Sequence, residues 1–276
     1  MMHHLPKIMT VLALAFVLVG CGESCPEKRI PPPEKLHILS LVTAADHILS
    51  ELGAADKIAA IDRHGKVLDS MQNTPVAVAG GMVSREMLKK YRINFAVIWY
   101  YQKHLTEIFR KEGIPYLIVD PIGLENYPEL VRKLGKVTGK TVEAESCVQK
   151  FTRVFAALPK SSISGKSVYV ELYAPWKSPA ADGYIGQIVQ SAAGSMACSS
   201  KRGGTVSPEA VAMANPKVIF FVENSGSVQE MASRTALAHT PAVKNKRIYA
   251  IPRKLVCEGV APIELLNFLS DKIKDF

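Results

Sequence analysis

Five aromatic side chains, Tyr100, Tyr101, Tyr173, Trp176 and Tyr184, stand in short polar segments beside the cations His64, Lys177, Arg253 and Lys254. Aromatic rings at that density stack on a flat ligand or pack its rim. The cations meet carboxylates, phosphates or an oxyanion. This is the chemistry of binding; nothing is arranged for covalent catalysis. The chain has no Gly-x-Ser-x-Gly elbow, and no Ser, His and Asp set falls at strand ends in a recognisable order. Catalytic residues are therefore not expected, which leaves an exported α/β hydrolase as the competing reading. A bare metal ion needs several His, Asp or Glu ligands converging, and His64, Asp182 and Glu223 are the candidates. Taken singly, each of these side chains also has a structural or solvated reading, and His64 reads more as a polar loop residue than as a metal ligand.

A different chemistry sits at Cys21. Lys7 precedes an uncharged apolar run from Ile8 to Val19, and the sequence then reads Leu18-Val19-Gly20-Cys21. Spanning a bilayer takes roughly 20 apolar residues, so the run reads as the core of a signal peptide. The tetrad resembles the bacterial lipobox, in which a small residue before the cysteine admits the lipoprotein signal peptidase and the thiol carries diacylglycerol. Residues 1–20 are expected to be removed, and lipid on Cys21 to hold the chain at a membrane, on a periplasmic surface or the outer face of the cell. Residues 21–35 are rich in Pro, Glu and charge, with three prolines at 31 to 33, and read as a stiff tether.

The remaining stretch of about 240 residues is long enough for two lobes, each with its own core. Its basic excess, part of a net charge of +9, favours anionic partners: lipid headgroups or an acidic ligand. The exported address argues against nucleic acid. Besides Cys21 there are Cys25, Cys147, Cys198 and Cys257, in no metal-ligand spacing. Cys198 and Cys257 both fall in the second half, where they either pair or sit apart as small apolar residues.

The elements that must position these residues alternate. Short apolar runs such as Leu36 to Leu41, Phe95 to Tyr100 and Val218 to Val222 are separated by helical patterns such as Ala44 to Leu52, Ser84 to Tyr91 and Ile263 to Ile273. That order predicts parallel sheets flanked by helices. Residues 36–125 form one α/β lobe and 161–276 a second. Between them, residues 126–160 read as one long helix, from Tyr127 to about Leu158, bridging the lobes. The halves also align with each other: the segment from Ser84 to Tyr100 lies ungapped on that from Ser207 to Glu223. In both copies a serine caps a helix, a glutamate follows two residues later, and the helix leads into a buried strand. Two such lobes meet across a cleft lined by the loops after the strands' C-terminal ends.

From Leu36 onward the chain resembles the class III (cluster A-II) periplasmic substrate-binding proteins of ABC importers. The resemblance rests on His37-Ile-Leu-Ser-Leu-Val-Thr-Ala-Ala-Asp-His-Ile-Leu-Ser-Glu-Leu-Gly, on Gly80-Gly81 with Ser84-x-Glu86, and on Thr240-Pro-Ala-Val-Lys-Asn-Lys-Arg-Ile-Tyr-Ala-Ile-Pro252. It implies a monomer without a cofactor of its own, capturing a small metal chelate that contains iron or cobalt and delivering it to a membrane permease driven by an ATPase. Glu86 and Glu209 map onto the carboxylates, one per lobe, that the family presents to permease arginines; a carboxylate in a helix's first turn is also favoured by the helix dipole alone. Iron-siderophore and cobalamin-like ligands suit the candidate cleft. No tyrosine stands before Ser84, where heme-binding members carry an axial ligand, and Met82 reads as an apolar filler. Heme therefore ranks behind those two, beside oxyanions of the molybdate type.

Overall fold

The computed structural model describes residues 30–78, 82–157, 167–193, 195–200 and 203–274. Cys21, the signal segment and most of the tether lie outside the described residues. The first lobe runs β1 (Ile38–Ser40), α1 (Thr43–Glu51), β2 (Ile58–Asp62), β3 (Val76–Val78), α2 (Arg85–Lys90), β4 (Phe95–Trp99), α3 (Thr106–Glu112) and β5 (Tyr116–Val119). α4 (Tyr127–Thr138) and α5 (Thr141–Ala156) follow. The second lobe runs β6 (Ser167–Glu171), α6 (Tyr184–Ala193), β7 (Ser195–Met196), α7 (Pro208–Ala214), β8 (Val218–Val222), α8 (Val228–Ser233), α9 (Pro241–Lys244), β9 (Ile248–Ile251) and α10 (Pro262–Ile273).

Both sheets are wholly parallel, in the orders β3-β2-β1-β4-β5 and β7-β6-β8-β9. Helices cover both faces of such sheets, so the central strands read as unbroken apolar runs. Phe-Ala-Val-Ile in β4 and Val-Ile-Phe-Phe-Val in β8 are buried throughout. The internal repeat is a structural one. Ser84 Oγ accepts the Met87 N–H at 3.2 Å and Ser207 Oγ the Ala210 N–H at 3.1 Å, capping α2 and α7. β4 and β8, aligned with each other by the same offset, each pair with the first strand of their own sheet. Where strand order reverses, between β1 and β4 and between β6 and β8, the chain departs to opposite faces and leaves a crevice at the strands' C-terminal ends.

The stretch expected as one bridging helix is two. Gly139, at φ 72°, ends α4 in the left-handed conformation, and the Lys140 N–H caps the Gly135 carbonyl at 2.7 Å. α5 then returns antiparallel: Arg132 pairs with Glu145 at 2.9 Å, and the Tyr127 and Phe151 rings lie 4.8 Å apart. Gly135 permits the tight crossing, because a Cβ there would run into Ala144. The helical periodicity continues across this hairpin, so it gives no sign of the fold-back. No helix among the described residues is long and apolar enough to cross a membrane.

Cys198 and Cys257 carry free thiols in different surroundings. Cys198 packs against the second lobe's outer core of Tyr169, Val211 and Phe221, whereas Cys257 packs against the core that runs through both lobes. The lobes meet closely behind Cys257. Gly259, at φ 74°, leaves no room for a side chain, since a Cβ would stand 2.6 Å from Ile122 and 2.7 Å from Ala44.

Candidate functional site

A cleft of about 770 Å³ opens where the two strand-end faces meet, a volume typical of small-molecule sites. From the first lobe, Leu41 and Thr43 follow β1, Asp62 ends β2 with Arg63, His64, Lys66 and Val67 after it, and Trp99 ends β4 with Tyr101 and Gln102 after it. From the second, Tyr173 follows β6, and Arg253, Cys257 and Glu258 follow β9.

The walls are aromatic. Trp99 and Tyr101 stack nearly parallel, 6.2 Å and 13° apart, and the Gln102 side-chain oxygen accepts the Trp99 N–H at 2.9 Å, fixing the turn that presents them. Tyr100 meets Tyr101 edge-on at 5.3 Å but turns outward, and it does not line the cleft. On the second lobe the Arg253 guanidinium lies 5.8 Å over the Tyr173 ring, and the Tyr173 hydroxyl donates to the Val256 carbonyl at 3.3 Å. Burial pushes the Tyr173 phenol up to about 12, and burial, aided by Asp62 and Glu258, raises that of Tyr101. Both phenols therefore stay neutral at any physiological pH, and the charge on the second wall is that of Arg253.

Charge sits at the floor and rim. Asp62 Oδ1 accepts the His64 N–H at 2.7 Å; the imidazole Nε2 lies 4.0 Å from the same oxygen and is 61% exposed, free to turn toward a ligand. The Lys66 ammonium is spent on the carbonyls of Met71, at 3.1 Å, and Gln72. Contacts across the lobes include Lys254 to Asp69 at 3.4 Å, the Gln187 side-chain oxygen, which accepts the Leu124 N–H at 2.8 Å, and the Glu258 carboxylate, which accepts the Ile122 N–H. Burial raises the Glu258 carboxyl, against that hydrogen bond.

Of the residues expected at the site, His64, Tyr101, Tyr173 and Arg253 line this one cleft. Trp176 and Lys177 do not. Trp176 packs on the second lobe's outer core, its ring 4.8 Å from the Arg234 guanidinium, and Lys177 is half-buried in an isolated bridge to Thr205. Tyr184 lines a neighbouring cavity of about 610 Å³ that shares Tyr173 and Glu258 with the first, but its hydroxyl, buried, donates to the Val260 carbonyl at 2.8 Å. Met82 is 81% exposed and lines neither cavity. His64, Asp182 and Glu223 do not converge, and among the described residues no three His, Cys, Asp or Glu side chains form a metal-binding group. Asp62, Trp99, Cys257 and Glu258 also line the cleft, without having been expected there. Trp99 was the findable one, as the last residue of a buried strand directly before Tyr100-Tyr101.

Beneath the floor lies Asp46, on α1, 1% exposed, with Oδ1 unpartnered among the described residues. Burial first, and the like charge of Asp62 after it, raise its carboxyl to about 8, with the Ser40 hydroxyl opposing. An unfolded aspartate ionises near 3.9. Between these values the folded chain binds a proton that the unfolded chain has lost, so stability falls as pH rises through that window. An Asp46→Asn protein is therefore expected to gain on the parent by about 1.4 kcal/mol per pH unit between pH 4 and 8. Denaturant unfolding across that range measures it, and a difference independent of pH would mean the buried carboxyl is ionised.

Comparison with known proteins supplies three findings. A family model described as "Periplasmic binding protein" matches residues 93–255. No curated protein matches the chain by sequence. Among solved structures, the periplasmic heme-binding protein RhuT from Roseiflexus sp. RS-1 superposes with a TM-score of 0.75 at 19% identity, covering 87% of this chain and 98% of that one. The periplasmic heme-binding protein HutB of Vibrio cholerae gives 0.75 at 17%, covering 86% and 98%. The periplasmic vitamin B12-binding protein BtuF of Vibrio cholerae gives 0.70 at 17%, covering 86% and 96%. At such identities these likenesses establish a shared two-lobed fold.

Proposed function

The chain belongs to the periplasmic binding protein family, and from that premise we propose that it is the lipid-anchored substrate-binding component of an ABC importer that captures a metal chelate. The observation that carries the ligand class is the pair of aromatic faces, Trp99 with Tyr101 on one lobe and Tyr173 on the other with the Arg253 cation over its ring, bounding a single cleft. Such walls suit a flat macrocycle better than a sugar or a peptide, whose hydroxyls and amides call for many polar partners. Arg253 is positioned for an anionic substituent, and His64 supplies an imidazole at the rim for the metal or an acid group. A cobalamin-like corrinoid fits this description; so does heme, which His64 favours more than the sequence around Met82 did. An iron-siderophore is the third member of the class, its acidic chelate served by Arg63 and Arg253.

The chain performs no chemistry in this role. It binds, its lobes close by a small amount, and a permease with its ATPase takes the ligand. Lipid on Cys21 would hold the carrier near that permease at high effective concentration, and Cys21→Ser is the variant that should release it from the membrane.

Mass spectrometry and an absorption spectrum of the protein purified from its native host test the proposal, since corrinoid, heme and ferric chelate each have a distinct band. An uncoloured organic ligand, or ester or phosphate turnover abolished by cleft substitutions, would overturn it. With the ligand in hand, Tyr101→Ala, which removes half of the Trp99 stack, is expected to weaken binding about tenfold in an equilibrium titration. Trp176→Ala should leave affinity closer to the parent's than Tyr101→Ala does.

A further inference from the structure

Asp46 has no part in the reading above, yet its placement is unusual. The carboxyl is buried on α1, and Oδ1 has no hydrogen-bond partner among the described residues. It presses against Gly65: a Cβ there would stand 2.7 Å from Oδ2, so contact between acid and backbone exists because residue 65 has no side chain. Gly65 lies in the middle of the short helical turn over 63–67, the segment that gives the cleft Arg63, His64, Lys66 and Val67. Burying a polar group with an unmet hydrogen bond is costly. A protein that keeps a carboxyl where an apolar side chain would be more stable is commonly holding it for function.

We infer that Asp46 is a positioning residue for ligand capture: its carboxyl, while neutral, supports the 63–67 turn at Gly65, and loss of its proton displaces that turn and weakens binding. The groups facing it are few. Ser40 offers a hydroxyl from β1, and Asp62, at the end of β2, adds a like charge. Lys66, in the turn itself, is committed to the Met71 and Gln72 carbonyls. His47, the next residue on α1, is subject to the charges of Glu51, Glu264 and Lys254, and burial holds its ring toward the neutral form. Arg63 and His64, in the same turn, stand beside Asp62, the His64 ring 4.0 Å from its carboxylate, and no cation among the described residues acts on Asp46, so the relief available to an ionised Asp46 is for water to enter as the turn lifts, carrying His64 with it. The window lies above about pH 8, where the carboxyl titrates.

The inference rests on the binding reading, and its test separates the two. Without ligand, amide hydrogen exchange of the 63–68 segment is compared at pH 7 and 9.5, corrected for the intrinsic rate. In parallel, hemin and cyanocobalamin are titrated into the same proteins at both values. In the parent, protection of the segment and affinity for whichever probe binds are expected to fall by up to about thirtyfold at pH 9.5. In Asp46→Asn both are expected to stay flat. Gly65→Ala, which pushes on the same contact from the turn, should lower protection already at pH 7, and it serves should the asparagine variant fail to fold. An unchanged segment in the parent, or an equal fall in Asp46→Asn, overturns the inference. If neither probe binds at pH 7 while exchange behaves as stated, the positioning role stands and the corrinoid and heme readings fall.

Discussion

A protein carrying both Glu86→Lys and Glu209→Lys is expected to bind its ligand as tightly as the parent and to support no uptake. Both glutamates are exposed in the first turns of capped helices, α2 and α7, at matched places in the two lobes. Neither enters an ion pair among the described residues, although α2 has Arg85 paired with Glu112 directly beside Glu86. Stability should change little: reversing a carboxylate at a helix N-terminus costs about 0.3–1 kcal/mol each. The ligand should not notice, because neither residue lines the cleft. We propose docking as the step where this pair of charges, one per lobe, acts, setting orientation and encounter rate against a cationic permease surface more than final affinity. Like charges brought together cost several kcal/mol, enough to stop productive docking altogether. Ligand titration in solution and ligand uptake by cells expressing the permease separate the two effects. Uptake that survives the double reversal would reduce both glutamates to helix-end charges.

What could be read from the sequence follows from where each signal is stored. The strands were legible because parallel sheets buried on both faces leave unbroken apolar runs, as in Phe95 to Trp99 and Val218 to Val222. The lobe repeat was legible because the same capped helix leads into the same strand position twice. The α4–α5 hairpin was not. The apolar spacing runs unchanged through Gly135 and Gly139, and only the packing of Ala144 on Gly135 reveals that both glycines serve a fold-back. The same limit applies in the cleft. His64, Tyr101 and Tyr173 follow directly from each being the second residue past its strand. Trp176 looked equivalent, but its fate is decided by Arg234, which follows a helix, α8, that the strand-and-helix alternation did not predict. Glu258 is a cleft residue because Ile122, far away in the chain, brings its N–H there.

Arg234→Met is expected to destabilise the fold by about 3–5 kcal/mol, the range for stranding one partner of a buried ion pair. Glu171 ends β6 at 1% exposure, and its carboxylate takes two bonds from the Arg234 guanidinium, at 2.6 and 2.9 Å, with the Trp176 N–H at 2.7 Å and the Tyr169 hydroxyl at 3.2 Å. Methionine keeps most of the arginine's volume and removes its charge and hydrogen bonds, those to Glu171 and the one to the exposed Glu230 at 2.6 Å. Restoring neutrality should recover much of it: Glu171→Gln with Arg234→Met keeps an acceptor for the Trp176 N–H and leaves no buried charge, so the double variant is expected to be more stable than Arg234→Met alone. The effect reaches the cleft through the turn from Tyr173 to Lys177. Trp176 stands at φ 60°, strained for a residue with a side chain, and the Glu171 hydrogen bond and the Arg234 contact with its ring hold it there. Tyr173 begins that turn and forms the second lobe's aromatic wall, so ligand affinity should fall together with stability and return with it in the double variant. Denaturant unfolding of the three proteins decides the matter, and a cost for Arg234→Met below about 1 kcal/mol would mean that water, not the guanidinium, satisfies Glu171.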